Sequence, residues 1–251
     1  MIDGPRFIIF SLPRSGSTTL AGLLDCHPQI RCVNEPFNPA NRVTCAARAV
    51  DKPSFDAALR EIWAEGNGTK HVWDFGLQIS STQRLQDREL LTSGAKVILL
   101  NRRNRLRRLV SVEISNQSGA WESTSRARER NRSVAFKDLD IDTLQWALEA
   151  QNAAAAEHRS LLEHSGREFI ECWYEDLFGE AKTARECMER LAEILSFLGL
   201  AMLDAKARAA AESLFDPRFG KVNSAEIYRR IPNIAEVERR LGSDEGGWLF
   251  R

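Results

Sequence analysis

The sequence has no excess of charge of either sign. Its 251 residues include 35 lysines and arginines and 35 aspartates and glutamates, so the formal net charge is zero. A protein that binds nucleic acid through its overall field depends on many basic side chains to neutralise phosphates. The balance of charge therefore argues against a nucleic-acid partner, while leaving room for a local basic patch.

Long hydrophobic runs are also missing. The longest nearly apolar run, residues 194–203, is interrupted by Ser196 and flanked by Glu193 and Asp204. A membrane span needs roughly 20 apolar residues. The first six residues, Met-Ile-Asp-Gly-Pro-Arg, do not lead into the apolar stretch of a signal peptide. We therefore expect no stable membrane insertion and a cytoplasmic location.

Cysteines are few and show no pattern. There are five, an odd number, with no C-x-x-C pair and no zinc-ligand spacing to the four histidines. We expect reduced packing residues and no metal site, and a reactive thiol at Cys26 or Cys32 is the less favoured alternative.

Short apolar runs alternate with helical patterns along the chain. The strands are predicted at residues 6–11, 31–34, 70–75, 95–101 and 168–174. Most of the helices are predicted at residues 18–24, 55–65, 77–91, 139–163, 180–198 and 203–214. This alternation predicts an α/β fold in which helices flank a parallel β-sheet, as one domain over residues 1–251. The polar, basic segment 116–137 is predicted to be a long loop or a loosely held helix, a candidate lid.

The first predicted strand runs into a loop rich in anion-binding groups, residues 13–19, which we call the anion loop. Gly16 lets the backbone approach a phosphate closely, and Arg14 adds a permanent charge with a forked set of donors. Hydroxyl and amide donors come from Ser15, Ser17, Thr18 and Thr19. Because a helix follows, its N-terminus adds a positive dipole end, and the loop is predicted to bind phosphate or sulfate. An ordinary serine-capped turn accounts for Ser17 alone.

The anion loop differs from a nucleoside-triphosphate P-loop. That motif requires G-x-x-x-x-G-K-[ST], and Ser11 and Ser17 stand where its first glycine and its lysine would be. A Mg²⁺-dependent kinase-like phosphotransferase is therefore disfavoured. It stays an alternative, together with a nucleotide-binding module that has no catalytic activity.

The residues Pro-Arg-Ser-Gly-Ser-Thr, positions 13–18, resemble the 5′-phosphosulfate loop of sulfotransferases. These enzymes move a sulfuryl group from 3′-phosphoadenosine-5′-phosphosulfate (PAPS) and release adenosine 3′,5′-bisphosphate (PAP). The resemblance extends to about Asn233 and is strongest to bacterial carbohydrate sulfotransferases of the lipo-oligosaccharide type. It implies a P-loop-like fold, PAPS as donor, no metal, and in-line transfer to a hydroxyl of a carbohydrate or glycolipid. Arginine in place of the lysine common in cytosolic aryl and steroid enzymes argues against a phenolic acceptor.

Further segments fit the same resemblance. Arg103 at the end of the fourth predicted strand and Ser111 are eight residues apart, as in the family's 3′-phosphate site, although a solvated basic helix face is the alternative. The helix between them is predicted to begin near Asn104. Tyr174 opens a Tyr-Glu-Asp-Leu segment that the resemblance places beside the nucleotide. Lys221, in a late glycine-containing segment, is implied as a phosphate contact.

The resemblance also implies a catalytic base. A His-Pro pair, a short strand and a Glu-Pro pair, residues 27–36, match a run in carbohydrate sulfotransferases whose glutamate, here Glu35, is the base. Partial burial is expected to raise the pKa of Glu35, and Arg14 is expected to stabilise the leaving phosphate. His71 and Asp74 are the alternative bases.

Residues for the acceptor are less specific. The candidates for stacking on sugar rings are Trp63, Trp73 and Trp121. The arginine-rich segment 125–132 is a candidate contact for an anionic acceptor, or a solvated lid. His158 and His164 are expected to face solvent. The acceptor's identity and the oligomeric state stay open.

Overall fold

The computed structural model describes residues 4–38, 49–73, 80–121, 124–179, 182–215 and 225–251. Asp74 and Lys221, both singled out in the sequence, lie outside the described residues.

The predicted α/β fold is confirmed by a sheet of five parallel strands. These are β1 (Phe7–Ser11), β2 (Cys32–Asn34), β3 (Gly68–Val72), β4 (Lys96–Asn101) and β5 (Phe169–Trp173). Their order across the sheet is β2-β3-β1-β4-β5. The chain moves to one side of β1 to form β2 and β3, and then to the other side to form β4. In parallel sheets, ligands bind at such a reversal, beyond the carboxyl ends of the strands.

Several helices begin at residues whose side chains cap them. The longer ones are α1 (Ser17–Asp25), α2 (Lys52–Glu65), α3 (Ser81–Thr92), α4 (Arg105–Ser118), α5 (Ser125–Ser133), α6 (Ile141–Ser165), α8 (Ala184–Leu198), α9 (Ala205–Leu214) and α11 (Ile234–Leu241). Two short ones are α7 (Tyr174–Phe178) and α10 (Ala225–Tyr228). Capping boxes at Asp51, Ser80 and Thr183 start α2, α3 and α8. Segment 116–137 contains α5, which Thr124 caps.

The two faces of the sheet bury different helices. Alternation along β1 turns Phe7 and Ile9 towards α1, α8 and α9, and Ile8 and Phe10 towards α2, α3 and α6. A third apolar cluster joins α4 and the first turns of α6 to α10 and α11. Helices therefore pack on both faces of the sheet, and this packing fixes the positions of the residues that follow the strands at its carboxyl edge.

The expectation that His158 faces solvent is wrong. Its ring packs edge-on against Phe10 and Trp73, with centroids 5.0 and 4.5 Å apart, and burial lowers its pKa. His158 lies one turn from the fully buried Leu162, on the face of α6 that covers the sheet. His164 is exposed, as expected.

Two of the three candidate tryptophans lie away from the anion loop. Trp73 is core, with 2% of its surface exposed. Trp63 lies under the guanidinium of Arg6, 5.8 Å from the ring centroid. Because Arg6 precedes β1, that contact is at the amino-terminal edge of the sheet, opposite the anion loop. Trp121 alone among the three is both exposed and next to the loop.

The described cysteines fit a packing role. Cys32, Cys172 and Cys187 are buried, Cys26 is partly buried, and all four thiols are free. Burial raises the pKa of each, which disfavours the reactive thiolate. Within the described ranges, no helix is long and apolar enough to cross a membrane. The same residues contain no cluster of histidine, cysteine and acidic side chains suited to a metal ion.

Candidate active site

The anion loop follows β1 and opens α1 with an unusual backbone. Arg14 and Gly16 both adopt left-handed conformations, with φ of 64° and 86°. Gly16 is the N-cap residue of α1, and no side chain caps this helix. The first N–H groups of a helix have no intrahelical acceptor, and they carry the positive end of its dipole. The N-terminus of α1 is therefore open to an anion at the carboxyl edge of the sheet.

Glycine at position 16 is required by both conformation and space. A Cβ atom there would lie 2.9 Å from the ring of Tyr174 and 3.0 Å from that of Phe178. We expect Gly16→Ala to lower the free energy of unfolding by more than the roughly 1–2 kcal/mol that a left-handed alanine costs. Gly199→Ala is the matched control, because Gly199 has a φ of 76° and open space around it. Denaturant unfolding of both variants separates the two effects, and equal losses would show that the aromatic contacts do not matter.

Arg14 and a second arginine, Arg102, lie together beside the loop. Arg14 donates from Nε to Ser111 Oγ at 3.0 Å and from Nη1 to the carbonyl oxygen of Trp121 at 2.7 Å. Arg102 donates from Nη1 to the carbonyl oxygen of Arg14 at 3.0 Å, and its guanidinium covers the ring of Tyr174 at 4.3 Å. Burial, with the neighbouring charge of Arg102, lowers the pKa of Arg14.

No described carboxylate pairs with these two cations. Within the described part of the chain, neither Arg14 nor Arg102 forms an ion pair, and Arg102 Nε is buried without a hydrogen bond. The hydroxyl of Ser15, a buried residue, also has no partner among the described residues. Buried polar groups without partners cost free energy, because water no longer satisfies them. The anion loop is therefore arranged for a negatively charged ligand.

The structure brings Ser111 and Tyr174 to the anion loop, but it turns Arg103 elsewhere. The guanidinium of Arg103 makes two hydrogen bonds to Asp176, at 2.7 and 2.9 Å, which raise the pKa of Arg103. The N–H groups of Arg103 and Asn104 both donate to the carboxylate of Glu175. The Tyr-Glu-Asp-Leu segment thus holds the turn after β4, and no contact joins Arg103 to Ser111 in the described structure. The helix α4 begins near Asn104, as predicted, and the side chain of Asn104 caps it.

Arg102 is not among the site residues predicted from the sequence, because the eight-residue spacing to Ser111 selects its neighbour Arg103. In the structure, Arg102 turns towards the anion loop, whereas Arg103 turns towards Asp176. Asn101 is the last residue of β4, so Arg102 is the first to pass the carboxyl edge of the sheet. That position was the available signal.

Glu35 lies at the same edge and pairs with Lys70. Its Oε1 lies 2.7 Å from Lys70 Nζ, and its Oε2 accepts from Asn38 Nδ2 at 2.7 Å. Lys70 Nζ also donates to Thr18 Oγ1 at 2.8 Å. Lys70 therefore joins the carboxylate of Glu35 to the first turn of α1. Lys70 is not among the site residues predicted from the sequence; its signal is its place in a buried strand, since lysines are rarely buried unless paired.

The expected rise in the pKa of Glu35 is wrong. Burial acts in that direction, but hydrogen bonding and charge from Lys70, with a hydrogen bond from Asn38, outweigh it and lower the pKa. The side chain is therefore ionised at neutral pH. Glu35 also has a left-handed backbone, with φ of 45°, so it shares with Arg14 a conformation that non-glycine residues rarely adopt.

His71 is buried on the other face of the sheet. Its Nε2 lies 2.6 Å from Oδ1 of Asp87 on α3, and its ring stacks on Phe10. Successive residues of a strand point to opposite faces, so Lys70 faces α1 and His71 faces away from it. The structure therefore places Glu35, and not His71, beside the anion loop.

Residues 5–88 match the sequence model of a sulfotransferase family. The matched residues make up about a third of the chain and include the anion loop. The resemblance drawn from the loop spelling is thereby confirmed as to family. A crystal structure of mouse sulfotransferase SULT7A1 complexed with PAP is similar at 14% identity, over 96% of this chain and 86% of that one, with a TM-score of 0.41. The comparison with curated proteins gave no match.

Residues 5–88, which match the sulfotransferase model, supply one part of the site. The anion loop, Glu35 and Lys70 all lie within this segment. Arg102, Ser111 and Tyr174 come from β4 onwards, outside the matched residues, and reach the same loop through the contacts described above. The site is therefore completed by the later part of the chain.

Proposed function

We propose that the protein is a PAPS-dependent sulfotransferase that sulfates a hydroxyl of a carbohydrate or glycolipid. The observation that carries the proposal is that Arg14 and Arg102 lie together at the uncapped N-terminus of α1 and, among the described residues, have no carboxylate partner. A kinase-like enzyme would need the P-loop lysine, and position 17 is a serine. The cytoplasmic location and the single domain stay predictions.

The residues present fit the anionic groups of PAPS. The unpartnered Ser15 Oγ and Arg102 Nε are donors that phosphate or sulfate oxygens would satisfy. The residues proposed to hold the nucleotide are Arg14, Ser15, Gly16, Ser17, Thr18, Thr19, Arg102, Arg103, Ser111, Tyr174 and Lys221. When bound, PAPS supplies the sulfuryl group, whose bond to the bridging phosphate oxygen breaks as the acceptor oxygen bonds to sulfur.

The charged side chains of the site have separate roles in the transfer. The ionised Glu35, whose two oxygens are oriented by Lys70 and Asn38 at the carboxyl edge of the sheet, accepts the proton of the acceptor hydroxyl. Arg14 and Arg102 stabilise the negative charge that develops on the departing phosphate. Lys70, held between Glu35 and Thr18, fixes the carboxylate relative to the loop.

A titration with PAP tests the proposal. We expect calorimetry to show tight binding of PAP in EDTA, with no gain from Mg²⁺, and much weaker binding of ATP and GTP. Arg103→Ala is expected to weaken PAP binding about tenfold or more, because an arginine–phosphate contact is charge-assisted. This requires the guanidinium to reach the ligand from its place beside Asp176.

Arg105→Ala is the control for that variant. The Arg105 guanidinium faces Asn152 and Glu245 instead of the anion loop, so PAP affinity should be unchanged. Binding of Mg²⁺-ATP or Mg²⁺-GTP alone would overturn the proposal in favour of a kinase-like enzyme. Binding of PAP without turnover of any saccharide acceptor would leave a nucleotide-binding module.

A further inference from the structure

A groove lies between the end of α4 and helix α5, and we call it the α5 groove. It has a volume of about 390 Å³. Its lining residues are Gly119, Ala120, Trp121, Thr124, Arg126, Ala127 and Arg130. None of these residues is among those proposed to hold the nucleotide. Its lining combines two arginines with a tryptophan.

The α5 groove is one side chain away from the proposed sulfuryl-transfer site. Arg14 reaches from the anion loop to the carbonyl oxygen of Trp121 in the wall of the groove. Trp121 is 47% exposed, so a ligand can reach its side chain. A molecule seated on Trp121 therefore lies beside the group that the anion loop would hold.

Among the described residues, no carboxylate forms an ion pair with the two arginines of the groove. Helix α5 carries four arginines and one glutamate. Within the described ranges, neither Arg126 nor Arg130 forms an ion pair, whereas arginines on other helices pair with a glutamate one turn later, as Arg185 does with Glu189. In a chain with no net charge, this local excess stands out.

Helix α5 is nevertheless fixed in place. Arg230, beyond α10, donates to the carbonyl oxygens of Asn131 and Val134 at 2.6 Å each. Ala127 and Asn131 of α5 are buried. The arginines of the groove are therefore presented by an anchored helix, which reduces the entropy lost when they bind a ligand.

We infer that the acceptor is an acidic saccharide, whose carboxylate binds Arg126 and Arg130 while a sugar ring stacks on Trp121. The guanidinium fork matches a carboxylate in geometry and charge, and an exposed indole face matches the apolar face of a pyranose ring. This inference rests on the proposed function, because it assigns the substrate class of the same site.

A pair of matched ligands tests the inference. Binding to the PAP-saturated protein is measured for an unsulfated chondroitin tetrasaccharide and for the same tetrasaccharide with its carboxylates reduced to alcohols. We expect the acidic form to bind about tenfold more tightly, with the difference shrinking at high salt. The double variant Arg126→Gln/Arg130→Gln should abolish this difference, and Trp121→Ala should weaken both ligands.

The controls separate this inference from the proposed function. Arg132→Gln changes an exposed arginine of α5 outside the groove lining and should bind both ligands like the unaltered protein. PAP affinity, measured in every variant, reports folding and the donor site. Equal binding of the two tetrasaccharides, or binding of neither, by protein that still binds PAP overturns the acidic acceptor and leaves the sulfotransferase proposal standing. Failure to bind PAP overturns the proposed function itself.

Discussion

Replacing Lys70 with methionine is expected to lower kcat for sulfuryl transfer by about 10² or more. Lys70 is 3% exposed and is the cation that holds Glu35 beside Thr18. Methionine keeps much of the volume but removes the charge, so the carboxylate loses both its partner and its position. PAP affinity should fall much less than kcat, because Arg14 and Arg102 are untouched.

The pH profile distinguishes this role from a merely structural one. Without Lys70, burial remains as the influence that raises the pKa of Glu35, and the strongest influences that lower it are gone. We therefore expect the acid limb of the kcat–pH profile to move to higher pH in the variant. Lys96→Met is the matched control, since Lys96 starts the neighbouring strand β4 and pairs with Glu168 at the opposite edge of the sheet. Full activity with an unmoved profile would contradict the role given to Lys70.

Local sequence signals predicted much of this fold. All five predicted strands form, in the predicted order along the chain, although β3 is mostly polar and begins at Gly68, two residues earlier than predicted. The sequence pattern places the start of α3 at residue 77, four residues early. The helix begins at Ser81 because Ser80 forms a capping box with Gln83. The positive φ at Gly16 was likewise foreseeable from a glycine at a strand-to-helix turn.

Contacts between segments that are distant in the chain are harder to predict from the sequence. That Arg102 reaches the anion loop, and Arg103 pairs with Asp176, depends on how the turn after β4 sits against α7. The pairing of Lys70 with Glu35 depends on β2 lying beside β3, which no local pattern encodes. This is why partial burial alone gave the wrong direction for the pKa of Glu35: the sign depends on a partner 35 residues further along the chain.

Glu35→Gln is expected to remove turnover while nearly preserving PAP affinity. A glutamine keeps the shape of the side chain but does not accept the proton of the acceptor hydroxyl, and loss of a general base typically costs about 10²–10⁴ in rate. Single-turnover assays and PAP calorimetry on the same preparation measure the two quantities. Retained turnover would pass the role to another base, and His71→Gln and Asp74→Asn would then identify it.

Glu35→Gln also leaves the buried Lys70 without its anion, so stability needs its own measurement. Because the folded-state pKa of Glu35 is lowered, its ionisation stabilises the fold above the unfolded-state pKa, and this contribution is lost as pH falls through the folded pKa. The variant should therefore lose less stability than the unaltered protein between about pH 5 and pH 3. The double variant Glu35→Gln/Lys70→Met removes both charges, and we expect it to recover stability at neutral pH yet stay inactive. Recovered activity in the double variant would mean that Glu35 acts only as a partner for Lys70 and does not accept the proton.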